Sequence, residues 1–208
     1  GIDFQNVVTS VIDGCSVSYN SGAGISLTQS DTNTIRACYM RNNTAGGVVI
    51  NTGSESNVVE NSTCRSNTDN GILIQEQYNI VVGCVLESNS NNGIVLNAFR
   101  NTVESCVVQN NINGGVHLSF ADLSIVRHNG IQSNAKTGFY VDNSTGVLAQ
   151  QNLITGNDTG VWLAVNTTSC SLAKNNIFGD SGWELVNTSG LVQLISRNWW
   201  GSVDTATL

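Results

Sequence analysis

A four-residue pattern, Gly-apolar-x-apolar, recurs along this 208-residue chain and constrains its fold more than any other feature. Successive copies are separated by 22 to 24 residues. The glycines of the pattern are Gly1, Gly24, Gly47, Gly71, Gly93, Gly115, Gly138, Gly160 and Gly182. A near-constant period of this length is typical of a solenoid, in which each repeat forms one coil that stacks on the coil before it. The sequence therefore predicts about nine coils.

Each repeat contains three short pieces in which apolar residues alternate with polar ones. Period-two alternation places the apolar residues of a strand on one face. In the fourth repeat the inward residues are Ile72 and Ile74 in the first piece, Val81 in the second and Leu86 in the third. Three inward columns at a constant coil length predict an all-β fold, a single-stranded parallel β-helix. We expect it to be right-handed, because parallel β crossovers are almost always right-handed.

The two ends of such a rod need covers, because they expose strand edges and core. We predict a β-helix over residues 1–200 and an irregular tail or cap over residues 201–208. Near the C-terminal end, Trp183 and Trp200 fall in inward columns, and we expect their large rings to plug the last coils. Nothing comparable is found near Gly1, so we expect an upstream domain or partner to join there.

Asparagine recurs at two turn positions of the repeat. One series is Asn33, Asn57, Asn79 and Asn101, and the other is Asn20, Asn43, Asn67, Asn89, Asn111, Asn134 and Asn157, with Asp180 next in line. Stacked Asn side chains can hydrogen-bond to one another along a rod, and Asn tolerates left-handed turn conformations. The sequence therefore predicts asparagine ladders along the turns.

The repeats resemble those of the right-handed parallel β-helix family, with its pectate-lyase-like and NosD-like members. The segments "NNGIVL", "NNINGGVHL" and "RNWWG" carry the resemblance, which extends over the whole chain. The family includes lyases, hydrolases, epimerases, tailspikes and adhesins, so the resemblance implies the fold without choosing an activity. It implies a polysaccharide or cell-surface glycan as partner, and a location outside the cell, at the cell surface or on a virion.

Four of the six cysteines occupy one position in four different coils: Cys15, Cys38, Cys84 and Cys106. Neighbouring coils are about 4.8 Å apart, which is within the reach of a disulfide. Two interpretations are therefore open, disulfides between neighbouring coils and a stack of buried free thiols. Ser62 and Asn129 continue the same column, which favours free thiols. No Cys pair has metal-site spacing, so we predict no metal and no cofactor.

Composition excludes two classes of partner. The net charge is −7, and the eight Lys and Arg residues form no basic run, so we expect no binding to nucleic acid. No stretch approaches the 18 apolar residues that a membrane-spanning helix requires.

Charged residues on the outward faces alternate in sign between neighbouring coils. We expect ion pairs across the coils within these columns: Asp13 with Arg36, Arg65 with Glu87, and Glu104 with Arg127. No three acidic residues stack on successive coils, which argues against a glycosidase-type cluster or a calcium site.

An apolar and aromatic column runs along the outward face of the first strands. It occupies the second position after each glycine and consists of Val49, Leu73, Val95, His117, Tyr140 and Trp162. We call it the stripe, and we expect it to be a contiguous exposed patch that marks an interaction site. Three interpretations compete: contact with another copy of the chain, for example in a trimer; cover by another part of the protein; or a stacking platform for sugar rings at Tyr140 and Trp162.

His117, Tyr140 and Asp142 are the candidate catalytic residues, because they fall on one sheet in neighbouring coils. Such a group can abstract a proton beside a uronate carboxylate, but no catalytic motif accompanies it. The residues favour a non-catalytic surface module of tailspike or adhesin type, for assembly or glycan binding. The alternative is a polysaccharide-modifying enzyme, a lyase, hydrolase or C5-epimerase, that acts along the first sheet.

Overall fold

A computed structural model describes residues 1–201 of the chain. Apart from Gly201, the predicted tail of residues 201–208 lies outside the described residues. Every regular element of the described part is a short β-strand, and the 26 strands form three parallel sheets.

Each coil contributes one strand to each sheet, which makes the fold a parallel β-helix with three faces. Sheet 1 contains β1 (Ile2–Gln5), β4 (Ala23–Thr28), β7 (Gly46–Ile50), β10 (Asn70–Ile74), β13 (Ile94–Leu96), β16 (Val116–Ser119), β19 (Thr137–Asp142), β22 (Thr159–Leu163) and β25 (Trp183–Asn187). Sheet 2 contains β2 (Val11–Asp13), β5 (Thr34–Arg36), β8 (Val58–Glu60), β11 (Ile80–Val82), β14 (Thr102–Glu104), β17 (Ile125–Arg127), β20 (Leu148–Gln150), β23 (Ser171–Ala173) and β26 (Leu194–Ser196). Sheet 3 contains β3 (Ser16–Ser18), β6 (Tyr39–Arg41), β9 (Thr63–Arg65), β12 (Val85–Glu87), β15 (Val107–Gln109), β18 (Gly130–Gln132), β21 (Leu153–Thr155) and β24 (Asn176–Phe178).

The inward columns confirm the prediction from the repeat. Ile72 pairs in register with Ile94, and Val81 and Leu86 occupy the equivalent places in sheets 2 and 3. All four side chains are fully buried. Burial of an aliphatic side chain of this size contributes about 1.5–3 kcal/mol, so the stacked columns form one continuous core along the rod.

The repeated glycine is required by space rather than by an unusual backbone angle. At Gly115, a Cβ atom would lie 2.5 Å from the carbonyl oxygen of Gly138 in the next coil and 2.6 Å from the Ile131 side chain. The same crowding against the next coil recurs from Gly24 to Gly160. The repeat therefore marks the place where successive coils approach too closely for any side chain.

The last coil departs from the predicted register. Gly160 faces the carbonyl oxygen of Glu184, and Trp183 pairs with Thr159, so Glu184 takes the place that the sequence assigns to Gly182. Trp183 consequently points away from the core and is 69% exposed. The prediction that Trp183 plugs the last coil is wrong, because the strand starts two residues later than its glycine suggests.

The asparagine ladders are confirmed. Asn89 is fully buried, and both its backbone N–H and its side-chain amide donate to Oδ1 of Asn111 in the next coil, each at 3.0 Å. Its side-chain amide also donates to the carbonyl oxygen of Cys64, at 3.1 Å. The left-handed residue of this turn is the one before the ladder position, as at Ser88 and Asn110, both with φ of 57°. The ladder Asn therefore serves as a hydrogen-bonding residue and leaves the left-handed conformation to its neighbour.

A third ladder occupies the cysteine column. Asn129 donates its backbone N–H and its side-chain amide to Oδ1 of Asn152, both at 3.0 Å, and its own Oδ1 accepts a hydrogen bond from the backbone N–H of Cys106. All six cysteines are free thiols. The column is therefore a stack of thiols that passes into a stack of amides, as the second of the two interpretations predicts.

The expected ion pairs on the outward faces are present. The charged atoms are 2.9 Å apart in Asp13–Arg36, 2.8 Å apart in Glu104–Arg127 and 3.5 Å apart in Arg65–Glu87. Because these pairs are partly exposed to solvent, each contributes about 1 kcal/mol or less.

Asp180 ends the ladder that runs from Asn20 to Asn157, and it brings a carboxyl group in place of an amide. Its Oδ1 accepts two hydrogen bonds from Asn157, at 2.7 and 3.0 Å. Oδ2 of Asp180 and Oε2 of Glu184 receive no hydrogen bond from the described residues, and the two carboxyl groups face each other. Burial and the neighbouring Glu184 raise the pKa of Asp180 to about 7.

Because of this carboxyl pair, we expect the protein to become less stable as the pH rises from about 4 to about 7. Asp180 holds its proton more tightly in the folded protein than in the unfolded chain, whose pKa is near 3.8, so folding is favoured at the acidic end of this window and less favoured above it. Urea unfolding at a series of pH values measures the effect. Asp180→Asn restores the ladder amide and is expected to flatten the dependence, and an equal slope in both proteins would contradict the assignment.

Candidate functional site

The stripe forms one column on the outward face of sheet 1, as the sequence predicts. The strand register places Val95 beside His117, His117 beside Tyr140, and Tyr140 beside Trp162. Val49 and Leu73 continue the column toward the N-terminal end. The patch is less exposed than a contiguous exposed surface requires, since Val95 is only 7% exposed, although Trp162, at 36%, is exposed as predicted. The neighbouring coils and turns shield the stripe, which becomes the floor of a groove.

A pocket of about 370 Å³ lies on the C-terminal half of this groove. Its lining residues come from four neighbouring coils and from the turn that precedes sheet 1: Asn92, Asn113, Gly114, Val116, His117, Lys136, Thr137, Tyr140, Asp142 and Trp162. The pocket therefore brings together the predicted catalytic candidates and the aromatic end of the stripe. Val49 lies away from it, in a shallower recess near Gly1.

Three aromatic rings stack edge to face along the pocket floor. The ring centroids of His117 and Tyr140 are 4.8 Å apart, and those of Tyr140 and Trp162 are 5.8 Å apart, with interplanar angles of 82° and 74°. The indole N–H of Trp162 donates to Oγ1 of Thr188 at 2.9 Å, which fixes its orientation. Because edge-to-face aromatic pairs are favourable, the rings support one another and form a rigid apolar surface.

His117 and Asp142 place two polar atoms in the pocket wall that make no hydrogen bond to the described residues. Nε2 of His117 lies 3.5 Å from Oδ1 of Asp142. Both atoms are buried, and neither has a hydrogen-bond partner within the described residues. A buried polar atom without a partner is costly and needs an explanation, and these two atoms lie in the wall of a pocket. They therefore face each other in the wall of the site, with hydrogen-bonding capacity that the described residues leave unused.

Tyr140 lies between the two polar groups and the indole of Trp162. Burial, and then the negative charge of Asp142, raise the pKa of the Tyr140 phenol above its usual value. The phenol therefore keeps its proton at neutral pH and acts as a hydrogen-bond donor or a proton donor.

Lys136 completes the pocket and is absent from the sequence-based candidates. It lies in the turn before β19, and its carbonyl oxygen accepts hydrogen bonds from the backbone N–H groups of Asp158 and Thr159, at 2.9 and 3.3 Å. It is one of two lysines in the chain and lies two residues before Gly138. That position indicates a place beside the stripe, because the residues before the repeated glycine form the turn that borders sheet 1.

Two other polar residues beside the stripe are not part of the pocket. Asn97 and Ser119 lie two residues after the stripe on the preceding coils, and the pocket lining contains neither. Among residues 1–201, no group of three or more His, Cys, Asp or Glu side chains is arranged to hold a metal ion. The same residues contain no helix whose length and apolar character suit a membrane crossing.

The sequence profile of the family described as "right handed beta helix region" matches residues 1–122 and 83–198. The chain belongs to this family. The match covers nearly all of the described rod and agrees with the three-sheet architecture of the β-helix. No curated protein matches this β-helix in sequence.

Several solved structures share the fold of this β-helix. A double mutant of the periplasmic alginate epimerase AlgG has a TM-score of 0.87 and 15% sequence identity, over 92% of this chain and 50% of AlgG. The A-module of the mannuronan C-5 epimerase AlgE6 from Azotobacter vinelandii has a TM-score of 0.73 and 17% identity, over 95% of this chain and 65% of the module. A mutant tailspike protein of E. coli bacteriophage HK620, in complex with a pentasaccharide, has a TM-score of 0.73 and 12% identity, over 94% of this chain and 43% of the tailspike.

These similarities concern the fold, because the sequence identities are low. The β-helix spans about half the length of AlgG. Any activity of the longer proteins depends on residues and segments that a fold comparison does not transfer.

Proposed function

We propose that this β-helix is a surface module that binds a glycan in the groove of sheet 1. The observation that carries the proposal is the pocket, where the rings of Tyr140 and Trp162 lie beside two unpartnered polar atoms, on His117 and Asp142. A sugar ring offers an apolar face for stacking and hydroxyl groups at its edge. Aromatic surface next to hydrogen-bonding groups suits both parts of such a ligand.

The dimensions of the site also support a glycan. Pockets for small ligands have volumes of about 300–1,000 Å³, and this one, at about 370 Å³, accommodates a short stretch of a chain. The stripe itself continues past the pocket to Val95 and Leu73, so a longer glycan that leaves the pocket along the rod axis would pass over these residues. The solved structures with this fold include two alginate or mannuronan epimerases and a tailspike with a bound pentasaccharide. They support a glycan partner and a location at the cell surface, on a virion or outside the cell.

Trp162→Ala is expected to lower affinity for the bound glycan at least tenfold. Loss of one stacking surface removes about 1.4 kcal/mol or more of binding free energy. A panel of neutral and acidic oligosaccharides, followed by calorimetry on each ligand that binds, measures the change.

Trp199→Ala is the matched control for this experiment. Trp199 is 42% exposed, close to the 36% of Trp162, but it packs on Phe178 near the C-terminal end and is not part of the pocket. Equal losses in both variants, or no loss in either, would contradict a site at Trp162.

A second candidate function is favoured by the position of Lys136. Its cationic side chain borders the pocket that contains His117 and Tyr140. In a uronate lyase or epimerase, a cation beside the sugar carboxylate makes the adjacent C–H more acidic, one side chain removes that proton, and another donates a proton. His117, oriented by Asp142, suits the role of base, and the protonated phenol of Tyr140 suits the role of acid.

Proton exchange into an acidic polysaccharide tests this second function. Incubation with polymannuronate or polygalacturonate in deuterated water is expected to place deuterium on the carbon beside the carboxylate, or to produce an unsaturated chain end. His117→Ala is expected to abolish either signal. If the wild-type protein binds the polymer and yields neither signal, the module is a binder and the enzyme interpretation is wrong.

Association of copies through the stripe stays a prediction. Half-burial of the stripe leaves less apolar surface for such an interface than the sequence suggests. Mass measurement at low concentration determines whether the chain is a monomer or a trimer.

A further inference from the structure

Four Asn-Gly pairs occur in the chain, and an asparagine in such a pair can lose ammonia without an enzyme. The backbone nitrogen of the glycine attacks the side-chain amide carbon of the asparagine, and glycine favours this approach because it has no side chain and a permissive backbone. The four pairs are Asn70-Gly71, Asn92-Gly93, Asn113-Gly114 and Asn129-Gly130. Because the dipeptide is the same in all four, we expect the fold to decide which of them reacts.

The fold restrains three of the four pairs by binding the attacking N–H group. The glycine N–H donates to a carbonyl oxygen of a neighbouring coil at 3.0, 3.0 and 2.9 Å: Gly71 to Asn92, Gly93 to Gly114, and Gly130 to Cys106. The asparagines of these pairs are also buried, with exposures of 7% for Asn70, 6% for Asn92 and 2% for Asn129. Reaction at these pairs therefore requires a local opening of the coil first.

The pair Asn113-Gly114 lacks both restraints. Among residues 1–201, the backbone N–H of Gly114 donates a hydrogen bond to no other protein group. Asn113 is partly exposed in the pocket wall. Its side-chain amide makes one hydrogen bond, to Oδ1 of Asn91 at 3.0 Å, and the nitrogen of that amide is the atom that leaves as ammonia. The attacking nitrogen is therefore free, and solvent reaches the group that it attacks.

Lys136 occupies the position beside Asn113 in the next coil. The ladder joins Asn111 to Asn134, and Asn113 and Lys136 each follow by two residues. Both side chains line the pocket. Because neighbouring coils are about 4.8 Å apart, a carboxylate at position 113 would lie within reach of the lysine ammonium group.

We propose that Asn113 is a site of spontaneous deamidation, and that the carboxylate produced there pairs with Lys136 and lowers the net charge of the pocket wall by one. The modification itself does not depend on what the pocket binds. It changes the only lysine of the pocket lining from an isolated cation into one member of an ion pair.

The reaction requires water as its one co-reactant. The Gly114 nitrogen forms a bond to the side-chain carbon of Asn113, its proton passes through solvent to the leaving amide, and ammonia departs as the C–N bond breaks. One water molecule then opens the resulting succinimide ring at either of its two carbonyl carbons, which gives aspartate or its β-linked isomer. Asparagine and water thus become a carboxylic acid and ammonia, and nothing is oxidised or reduced.

Peptide mapping of the native protein, held in mildly alkaline buffer at physiological temperature, tests the deamidation step. Asn113 is expected to convert at least about fivefold faster than Asn129, because reaction at Asn129 first breaks a hydrogen bond. In the urea-unfolded chain the two sites are expected to convert at similar rates. Equal rates in the native protein, or a difference that persists after unfolding, would overturn the proposal.

Acylation of lysine side chains in Asn113→Asp tests the ion pair without any glycan. An amine reacts in its neutral form, and a carboxylate nearby favours the charged form. We expect Lys136 to react about two- to fivefold more slowly in Asn113→Asp than in the wild type. Lys174, the other lysine, is the control within the same chain, and Asn113→Gln is the uncharged control. If Lys136 reacts equally fast in all three proteins, the carboxylate does not pair with it and the proposed charge change is wrong.

Discussion

Gly115→Ala is expected to destabilise the protein by about 3 kcal/mol, because a buried methyl group would overlap a fixed backbone. The added Cβ would lie 2.5 Å from the carbonyl oxygen of Gly138, 2.6 Å from the Ile131 side chain and 3.0 Å from the Asn134 amide. The carbonyl oxygen belongs to the next coil, so it moves only if the stacking of the coils changes. Urea unfolding followed by circular dichroism measures the loss.

Gly130→Ala is the matched control, and it is expected to be neutral or slightly stabilising. A Cβ at Gly130 meets no atom within 4 Å, and the residue lies in β18 without a left-handed backbone. Alanine there restricts the unfolded chain and contributes up to about 1 kcal/mol of stability. Similar effects of the two substitutions would contradict the claim that the repeated glycine is required by close stacking of coils.

Asn89→Ala is expected to cost about 4 kcal/mol, because one substitution leaves several buried groups unpaired. Oδ1 of Asn89 accepts hydrogen bonds from the backbone N–H and the side-chain amide of Asn67, at 3.1 and 3.0 Å. Its amide supplies the hydrogen bonds to Asn111 and to the carbonyl oxygen of Cys64. None of these groups reaches water in the folded protein, so each loses a partner that water does not replace.

Asn97→Ala provides the comparison for this ladder position. Asn97 is exposed on sheet 1, and its backbone N–H pairs with the carbonyl oxygen of Ile74 whatever the side chain. We expect a change within about 0.5 kcal/mol. If Asn89→Ala destabilises no more than Asn97→Ala, the ladder does not stabilise the rod.

The inward columns and the ladders were predictable because they follow from a period that the chain keeps for eight coils. The register of the last coil was not predicted, although the sequence contains a spacing that indicates it. Glu184 lies four residues after Asp180, the spacing that most coils keep between a ladder residue and the strand glycine, as from Asn134 to Gly138. Gly182 indicates a different start only when the glycine is considered without the ladder residue before it.

The pocket was only partly predictable from the residues that form it. Period-two alternation places His117, Tyr140 and Trp162 on one outward face, and the structure agrees. How deeply the turns enclose that face depends on the course of the turn before sheet 1, which carries Lys136 and Asn113 to the pocket wall. The alternation of apolar and polar residues contains no information about that course, so it predicts neither the shielding of Val95 nor the place of Lys136 in the pocket.

The most direct test of glycan binding is a crystal structure of the protein with an oligosaccharide that binds in the panel. A sugar ring stacked on Trp162 or Tyr140, with hydroxyl groups hydrogen-bonded to polar groups of the pocket lining such as His117 and Asp142, is the predicted result. A sugar bound on sheet 2 or sheet 3, with the groove of sheet 1 free of ligand, would contradict the proposed function.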